Sequence, residues 1–305
     1  MKTIILLISL FSTLALASNY DIASAALLKS TGRIIRVQHG PDFLRVDNIC
    51  SGVLEEKNTI ITATHCFYRA THEISPYPES YYFDIDGVTS EGLGVTINSL
   101  KNSDSKIEGR NINKVKNILK QIPKITHTEL HPGYIKSAKG IENTENAPEP
   151  EFDVARAFLS QPINSDIIQI SEYIDGEDIY LAGQGGMYLE GKMNVIRCIA
   201  GLPAYNFMIE TVGASTGRIP RSSKSKMKII DTKSFKLARY KKFYETAIIE
   251  YCDESIVRGY SGGPHTVVRN GKVLLVGVTS QMFEGEMGLA GRKIAGARVE
   301  KLNSK

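Results

Sequence analysis

Three short stretches carry residue types that could act together on an acyl group. The first is Ile61-Thr-Ala-Thr-His65-Cys66, which follows a β-branched run. The second is Glu151-Phe-Asp153-Val-Ala-Arg, which opens another apolar run. The third is Gly259-Tyr-Ser261-Gly-Gly-Pro264. A serine hydroxyl is a weak nucleophile until a base takes its proton, and the usual base is an imidazole held by a carboxylate. Glycines beside the serine free the backbone for sharp turns and let a substrate come close. The N–H groups of Gly259 and Ser261 could then converge on one developing oxyanion, a contribution worth several kcal/mol when preorganised. Singly, each stretch has a plain structural reading: a Gly-rich turn, a core or surface histidine beside a cysteine, a capping aspartate. The serine stretch also fits the Gly-x-Ser-x-Gly elbow of α/β-hydrolases, which needs Asp and then His after the serine. Only His265 follows Ser261, with no alternating β and α pattern around it, so the order His, Asp, Ser rules that reading out.

These residues must be positioned by strands. Apolar or β-branched runs at 32–37, 52–54, 59–62, 154–159, 179–182, 194–199, 246–251 and 273–279 are separated by turn residues, which predicts antiparallel barrels or sandwiches. One helix is expected over 112–121, where Ile112, Val115, Ile118 and Leu119 share a face. With 305 residues, 42% of them apolar and 23% charged, the chain can bury a substantial core and is not disordered as a whole. Length favours one domain with insertions or two small barrels sharing a seam.

The chain opens with Lys2, an apolar run from Ile4 to Leu16 and the small-x-small sequence Ala15-Leu16-Ala17, the order of a secretory signal peptide over 1–18, with cleavage after Ala17 or Ser18. No later segment reaches 18 apolar residues, so the expectation is a secreted or periplasmic mature chain without a transmembrane span. Whether the following segment, 19–28, is an inhibitory pro-piece is open at this level. The compartment permits disulfides, and Cys50, Cys66, Cys198 and Cys252 allow three pairings. Net charge is 37 − 33 = +4, or +3 without Lys2, which argues against a specific nucleic-acid binder.

Three stretches read as insertions. Residues 101–122 are polar and basic, and 136–151 form an acidic loop with four glutamates. Residues 218–242 hold ten Lys or Arg against the single acid Asp231. Such a run is a solvated loop or a site for a polyanion or an anionic surface. The histidines do not cluster at metal-ligand spacing, and no metal or other cofactor is indicated.

Taken in order, the blocks resemble the chymotrypsin/trypsin-like serine proteases. Cys50-Ser-Gly-Val-Leu and Ile60-Ile-Thr-Ala-Thr-His65-Cys66 resemble that family's histidine block, and His131-Pro-Gly-Tyr134 with Phe152-Asp153-Val-Ala resembles the block of its aspartate. Leu181-Ala-Gly-Gln-Gly185, the serine block, Leu275-Val-Gly-Val-Thr-Ser280 and Ala297-Arg-Val299 follow as in the second half of such proteins. The resemblance implies an all-β fold of two antiparallel six-stranded β-barrels with long loop insertions, over 19–305. The first barrel would span about 30–160 and the second about 172–302. It implies a serine endopeptidase, a hydrolase of protein or peptide substrates with no cofactor. His65 would be general base, Asp153 its orienting partner, and Ser261 the nucleophile. Gly259 and Ser261 would form the oxyanion hole, and Ser280 would offer backbone groups to an extended substrate. It also implies a Cys50–Cys66 disulfide beside the histidine, with Cys198–Cys252 as the second pair.

The chain departs from the family at Tyr260, where the trypsin-type pattern has an aspartate that pairs with a freed N-terminus; no matching Ile-Val-Gly-Gly-like start is present either. The serine loop must then be held by other contacts. Ser255 falls near the base of the primary specificity pocket, with Met282 and Ile294 near its walls, which favours small or medium apolar side chains unless Asp253 or Glu254 takes that place. A catalytically silent, secreted binding protein of the same fold is the alternative.

Overall fold

Alternating apolar and polar positions make strands here, and the strands close on themselves. In the computed structural model, residues 18–68, 75–85, 97, 99–104, 106–138, 152–174, 177–183, 194–200, 207–211, 227–231, 248–252, 260–283, 293–299 and 302 are described. The first sheet contains β1 (Thr31–His39), β2 (Phe43–Glu56), β3 (Thr59–Thr62), β4 (Glu79–Asp84), β5 (Lys106–Glu108), β6 (Lys124–Leu130) and β7 (Ala155–Leu159). Its strand order is β1-β4-β6-β7-β3-β2-β5, and β1 also pairs β2. Six strands therefore form a closed ring, with β5 added outside on β2.

The second sheet contains β8 (Gln169–Ile170), β9 (Asp178–Gly183), β10 (Asn194–Ala200), β13 (Ile248–Cys252), β14 (Pro264–Arg269), β15 (Lys272–Phe283) and β16 (Lys293–Arg298). Its order is β14-β9-β10-β13-β16-β15-β8, and the β14–β15 pairing closes a second six-stranded ring. Within the rings all pairings are antiparallel, and β8 joins β15 in parallel. The expected pair of six-stranded antiparallel barrels is thus present. β11 (Phe207–Thr211) and β12 (Met227–Asp231) pair antiparallel in a separate two-stranded sheet.

Two apolar clusters fill and flank the first barrel. One gathers Ile34, Leu54, Ile60, Phe83 and Leu159 around the Cys50–Cys66 disulfide. The other gathers Ile35, Val37, Leu44, Ile107, Val115 and Leu119. The second of these is covered by α2 (Arg110–Leu119), the helix expected from the 112–121 periodicity, which turns Val115 and Leu119 inward. A third cluster lies between the barrels and draws on both: Val53, Ile61 and Val154 meet Tyr180, Ala182, Leu275 and Val278.

Residues 19–30, which follow the expected signal peptide, are helical. In α1 (Asn19–Ser30), Ser18 accepts a hydrogen bond from the Asp21 N–H, and the Asp21 carboxylate reaches back to the Ser18 N–H at 3.1 Å. This capping box satisfies two otherwise unpaired donors at the helix start. Ala23, Leu27 and Ser30 form the buried stripe. Among the described residues no helix is long and apolar enough to cross a membrane.

Candidate active site

Strand β3 ends at Thr62, and the chain turns through a single 3-10 turn, Thr64–Cys66, that presents His65. The turn is fixed from three sides. The Thr62 hydroxyl donates to the Ser51 carbonyl at 2.7 Å, the Thr64 hydroxyl donates to the Val154 carbonyl at 2.9 Å, and Cys66 is tied to Cys50 on β2 by the disulfide. The cross-link closes a loop whose restriction in the unfolded chain is worth about 3 kcal/mol in the chain-entropy model.

Asp153 arrives from the segment just before β7. Its side chain is 2% exposed, so its charge needs partners. It has three. Oδ1 accepts the backbone N–H of His65 at 2.9 Å, Oδ2 accepts from His65 Nδ1 at 2.6 Å, and Oδ2 also accepts the Ser280 hydroxyl at 2.6 Å. This arrangement places the Nδ1 proton toward the carboxylate and leaves Nε2 as the free acceptor. Burial pushes the His65 imidazole toward the neutral form, but the Asp153 charge and its hydrogen bond outweigh it, and the pKa lies above the ordinary 6.5. The His65 side chain keeps 29% of its surface exposed, so the ring is reachable from solvent.

The segment carrying Asp153 is held from behind by a group that sequence reasoning placed in the right block without giving it a part. The buried His131 ring stacks on Phe152 with centroids 4.8 Å apart and planes 11° apart, and its Nδ1 accepts the Gly133 N–H at 3.0 Å. The Thr64 hydroxyl and the Ser280 side chain were also unassigned. Their signal was weak, since a hydroxyl next to a predicted base has no distinctive spacing.

Ser261 sits in a tight turn that opens β14. Gly263 N–H donates to the Tyr260 carbonyl at 2.7 Å, and Gly262 has φ +76°, which makes Ser261 and Gly262 the central residues of a type II geometry. A side chain at Gly262 is excluded on conformation and on space, because its Cβ would lie 2.0 Å from Thr62 Oγ1. The turn is laced to β15 by Gly262 N–H to Thr279 O at 2.7 Å and Thr279 N–H to Gly263 O at 2.8 Å. It is tied to the first barrel by Ser51 N–H to Ser261 O at 2.7 Å. Ser51 is the neighbour of Cys50, so the serine turn and the histidine turn are anchored to adjacent residues of one strand. The Ser261 N–H and hydroxyl make no hydrogen bond among the described residues, His65 included.

Tyr260 is 3% exposed. Its ring lies on the backbone of Gly183, where a Cβ would come within 2.4 Å of Tyr260 Cδ1. The position that holds an aspartate in the trypsin-type pattern is therefore filled here by an aromatic ring packed against the end of β9. Below the turn, His265 is fully buried with Nε2 3.0 Å from the Thr279 hydroxyl, inside the barrel rather than at the site.

Gly259, Ser255, Asp253 and Glu254 lie outside the described residues, as do 218–226 and 232–242 of the basic run. Met282 and Ile294 are paired in register across β15 and β16. Cys198 and Cys252 face each other in register across β10 and β13. Cys50, His65 and Cys66 bring ligand-type atoms within 4.8 Å of one another, but the two sulfurs are bonded to each other and offer no thiolate pair to a metal.

No protein-family model matches the chain, and no curated protein matches it in sequence. Solved structures do resemble it. A thermostable serine protease, AL20, from an extremophilic microorganism is 12% identical, with 90% of this chain and 92% of that chain covered and a TM-score of 0.44. The protease Anisep from Arthrobacter nicotinovorans is also 12% identical, with 90% and 91% covered and a TM-score of 0.45.

Proposed function

We propose that this chain is an exported serine endopeptidase that hydrolyses peptide bonds through an acyl-enzyme on Ser261. The observation that carries the reading is the buried Asp153 carboxylate, which grips both the backbone and the Nδ1 of His65 while leaving Nε2 free, beside a serine turn anchored to the same strand. In the reaction, His65 Nε2 takes the Ser261 proton as Oγ attacks the scissile carbonyl. Asp153 stabilises the imidazolium that forms. The negative oxygen of the tetrahedral intermediate is received by the Ser261 N–H, with Gly259 N–H as the second donor. His65 then protonates the leaving amine, and water repeats the sequence in reverse to free the acid.

Extended substrate would add to the edge near Ser280, main chain to main chain. Cys198–Cys252 as a second disulfide and an anionic partner for 218–242 belong to the same proposal. The inward-packed Tyr260 gives the serine turn an apolar anchor, which supports activity without a freed N-terminus.

The test is covalent labelling of purified mature protein by a fluorophosphonate, read by intact mass, beside Ser261→Ala and His65→Ala. One label per chain, located on Ser261 and lost in both variants, is the expected result. A folded wild-type protein that takes no label overturns the reading and leaves the silent binding protein.

A further inference from the structure

Every segment of the candidate site backs onto the apolar cluster between the barrels. Ile61 is in the strand that delivers His65, and Val154 directly follows Asp153. Ala182 lies under the serine turn, where its carbonyl comes so close to Gly263 that a Cβ there would meet it at 2.1 Å. Val278 is two residues before Ser280 on β15. These four residues come from both barrels and share one cluster with Val53, Tyr180 and Leu275.

The same cluster is completed by α1. Ala23 and Leu27, each 0% exposed, belong to this same cluster. The helix touches β2 of the first barrel and β9, β10, β14 and β15 of the second. Its far end is fastened to the connection between the barrels: the Ser165 hydroxyl donates to the Lys29 carbonyl at 2.5 Å, and Lys29 Nζ lies 3.5 Å from Asp166. That connection is in turn pinned to the first barrel by Ile168 N–H to Leu54 O at 3.1 Å. The apolar stripe of this segment lies in the core.

We propose that α1 is a positioning element of the active site, not a pro-piece, and that Leu27 with Ala23 sets the spacing between the His65–Asp153 segments and the Ser261 turn. The inference rests on the protease reading and deepens it. Filling the seam fixes the approach of His65 to Ser261, and emptying it leaves two intact barrels whose reactive groups are misaligned. Misplacement of about 1 Å costs on the order of a hundredfold in rate.

The experiment compares Leu27→Ala and Leu27→Met with Val115→Ala, a truncation of similar kind in the cluster under α2, remote from the site. All are made in the full mature chain and assayed well below their melting temperatures. The readouts are the second-order rate of fluorophosphonate labelling and, on a peptide substrate, kcat and KM separately. Leu27→Ala is expected to lose about tenfold or more in labelling rate and kcat with KM little changed. Leu27→Met, which refills the volume, restores the rate, and Val115→Ala melts lower yet labels as wild type. If Leu27→Ala does not fold, Leu27→Val gives the same comparison with a smaller loss expected. Labelling of Leu27→Ala at the wild-type rate, or a fall no different from that of Val115→Ala, overturns the inference while leaving the protease reading intact. Faster labelling would make α1 an inhibitory segment and overturn it too. A wild-type chain that takes no label removes the protease reading, and this inference with it.

Discussion

Asp153→Asn tests the site's electrostatics with the least change of shape. The carboxylate accepts three hydrogen bonds, and the amide can reproduce their positions but not their direction. Its oxygen can keep the His65 backbone N–H, and the Ser280 hydroxyl can rotate to accept from the new NH2. The bond to Nδ1 is reversed: the amide donates, so Nδ1 must be unprotonated and the ring proton moves to Nε2. The nitrogen that should receive the serine proton is then already occupied. In serine proteases with a Ser-His-Asp triad the same change lowers kcat by about 10⁴, equivalent to about 5.4 kcal/mol of barrier, and on the proposed reading a loss of that order is expected here.

The pH profile supplies a second reading of that variant. Burial lowers the His65 pKa, and only the Asp153 charge and hydrogen bond bring it above 6.5. With both removed, burial acts alone and the pKa falls below 6.5. The ascending limb of labelling rate against pH, which follows loss of the His65 proton, should thus have its midpoint above 6.5 in the wild type and below it in the variant. The raised value also links to stability. Its contribution is full below pH 6.5 and is lost as pH rises through the folded pKa. The assay is fluorophosphonate labelling between pH 5 and 9 (roughly the range in which imidazole titrates), with circular dichroism to show that the fold is kept. A folded Asp153→Asn protein that labels at the wild-type rate, or whose midpoint does not move, would refute the reasoning.

Two further outcomes follow from packing and cross-linking. Gly183→Ala forces a methyl group against the Tyr260 ring and should cost about 1–3 kcal/mol in urea unfolding, with a slower labelling rate because the ring anchors the serine turn; an unchanged midpoint would mean the ring is free to move aside. The double change Cys50→Ala and Cys66→Ala should lower stability by about 3 kcal/mol, and it should depress labelling at temperatures where the protein is still folded, since Cys66 adjoins His65 and Cys50 adjoins Ser51.

The strands were legible where burial and β-branching coincide. The run at 59–62 is β3, every residue of which is buried, and the run at 154–159 overlaps β7, where buried Ala155, Ala157 and Leu159 alternate with half-buried Arg156 and Phe158. Strand β4 was not: its sequence Glu-Ser-Tyr-Tyr-Phe-Asp is mixed, and its place depends on pairing with β1 and β6. Helix α1 went unread because it closely follows the apolar run 4–16, and its stripe of Ala23, Leu27 and Ser30 is too small and too polar to stand out. At the site, residue types that do chemistry were visible as blocks. The groups that hold them were not, because Thr64, His131 and Ser280 act through contacts between segments far apart in the chain. Tyr260 was read as a departure, and only its burial against Gly183 reveals what occupies that position.

The placement of the Cys50–Cys66 bridge bears on where the proposed activity would be assembled. One end adjoins the histidine turn, and the other adjoins the residue that holds the serine turn. A cytoplasm that keeps thiols reduced removes the covalent tie between β2 and the histidine turn and leaves both turns to their hydrogen bonds alone. On the proposed reading of an exported endopeptidase, the oxidising space outside the cell is where that last tie is made, so the full set of constraints on the site would be assembled only after the chain has left its maker.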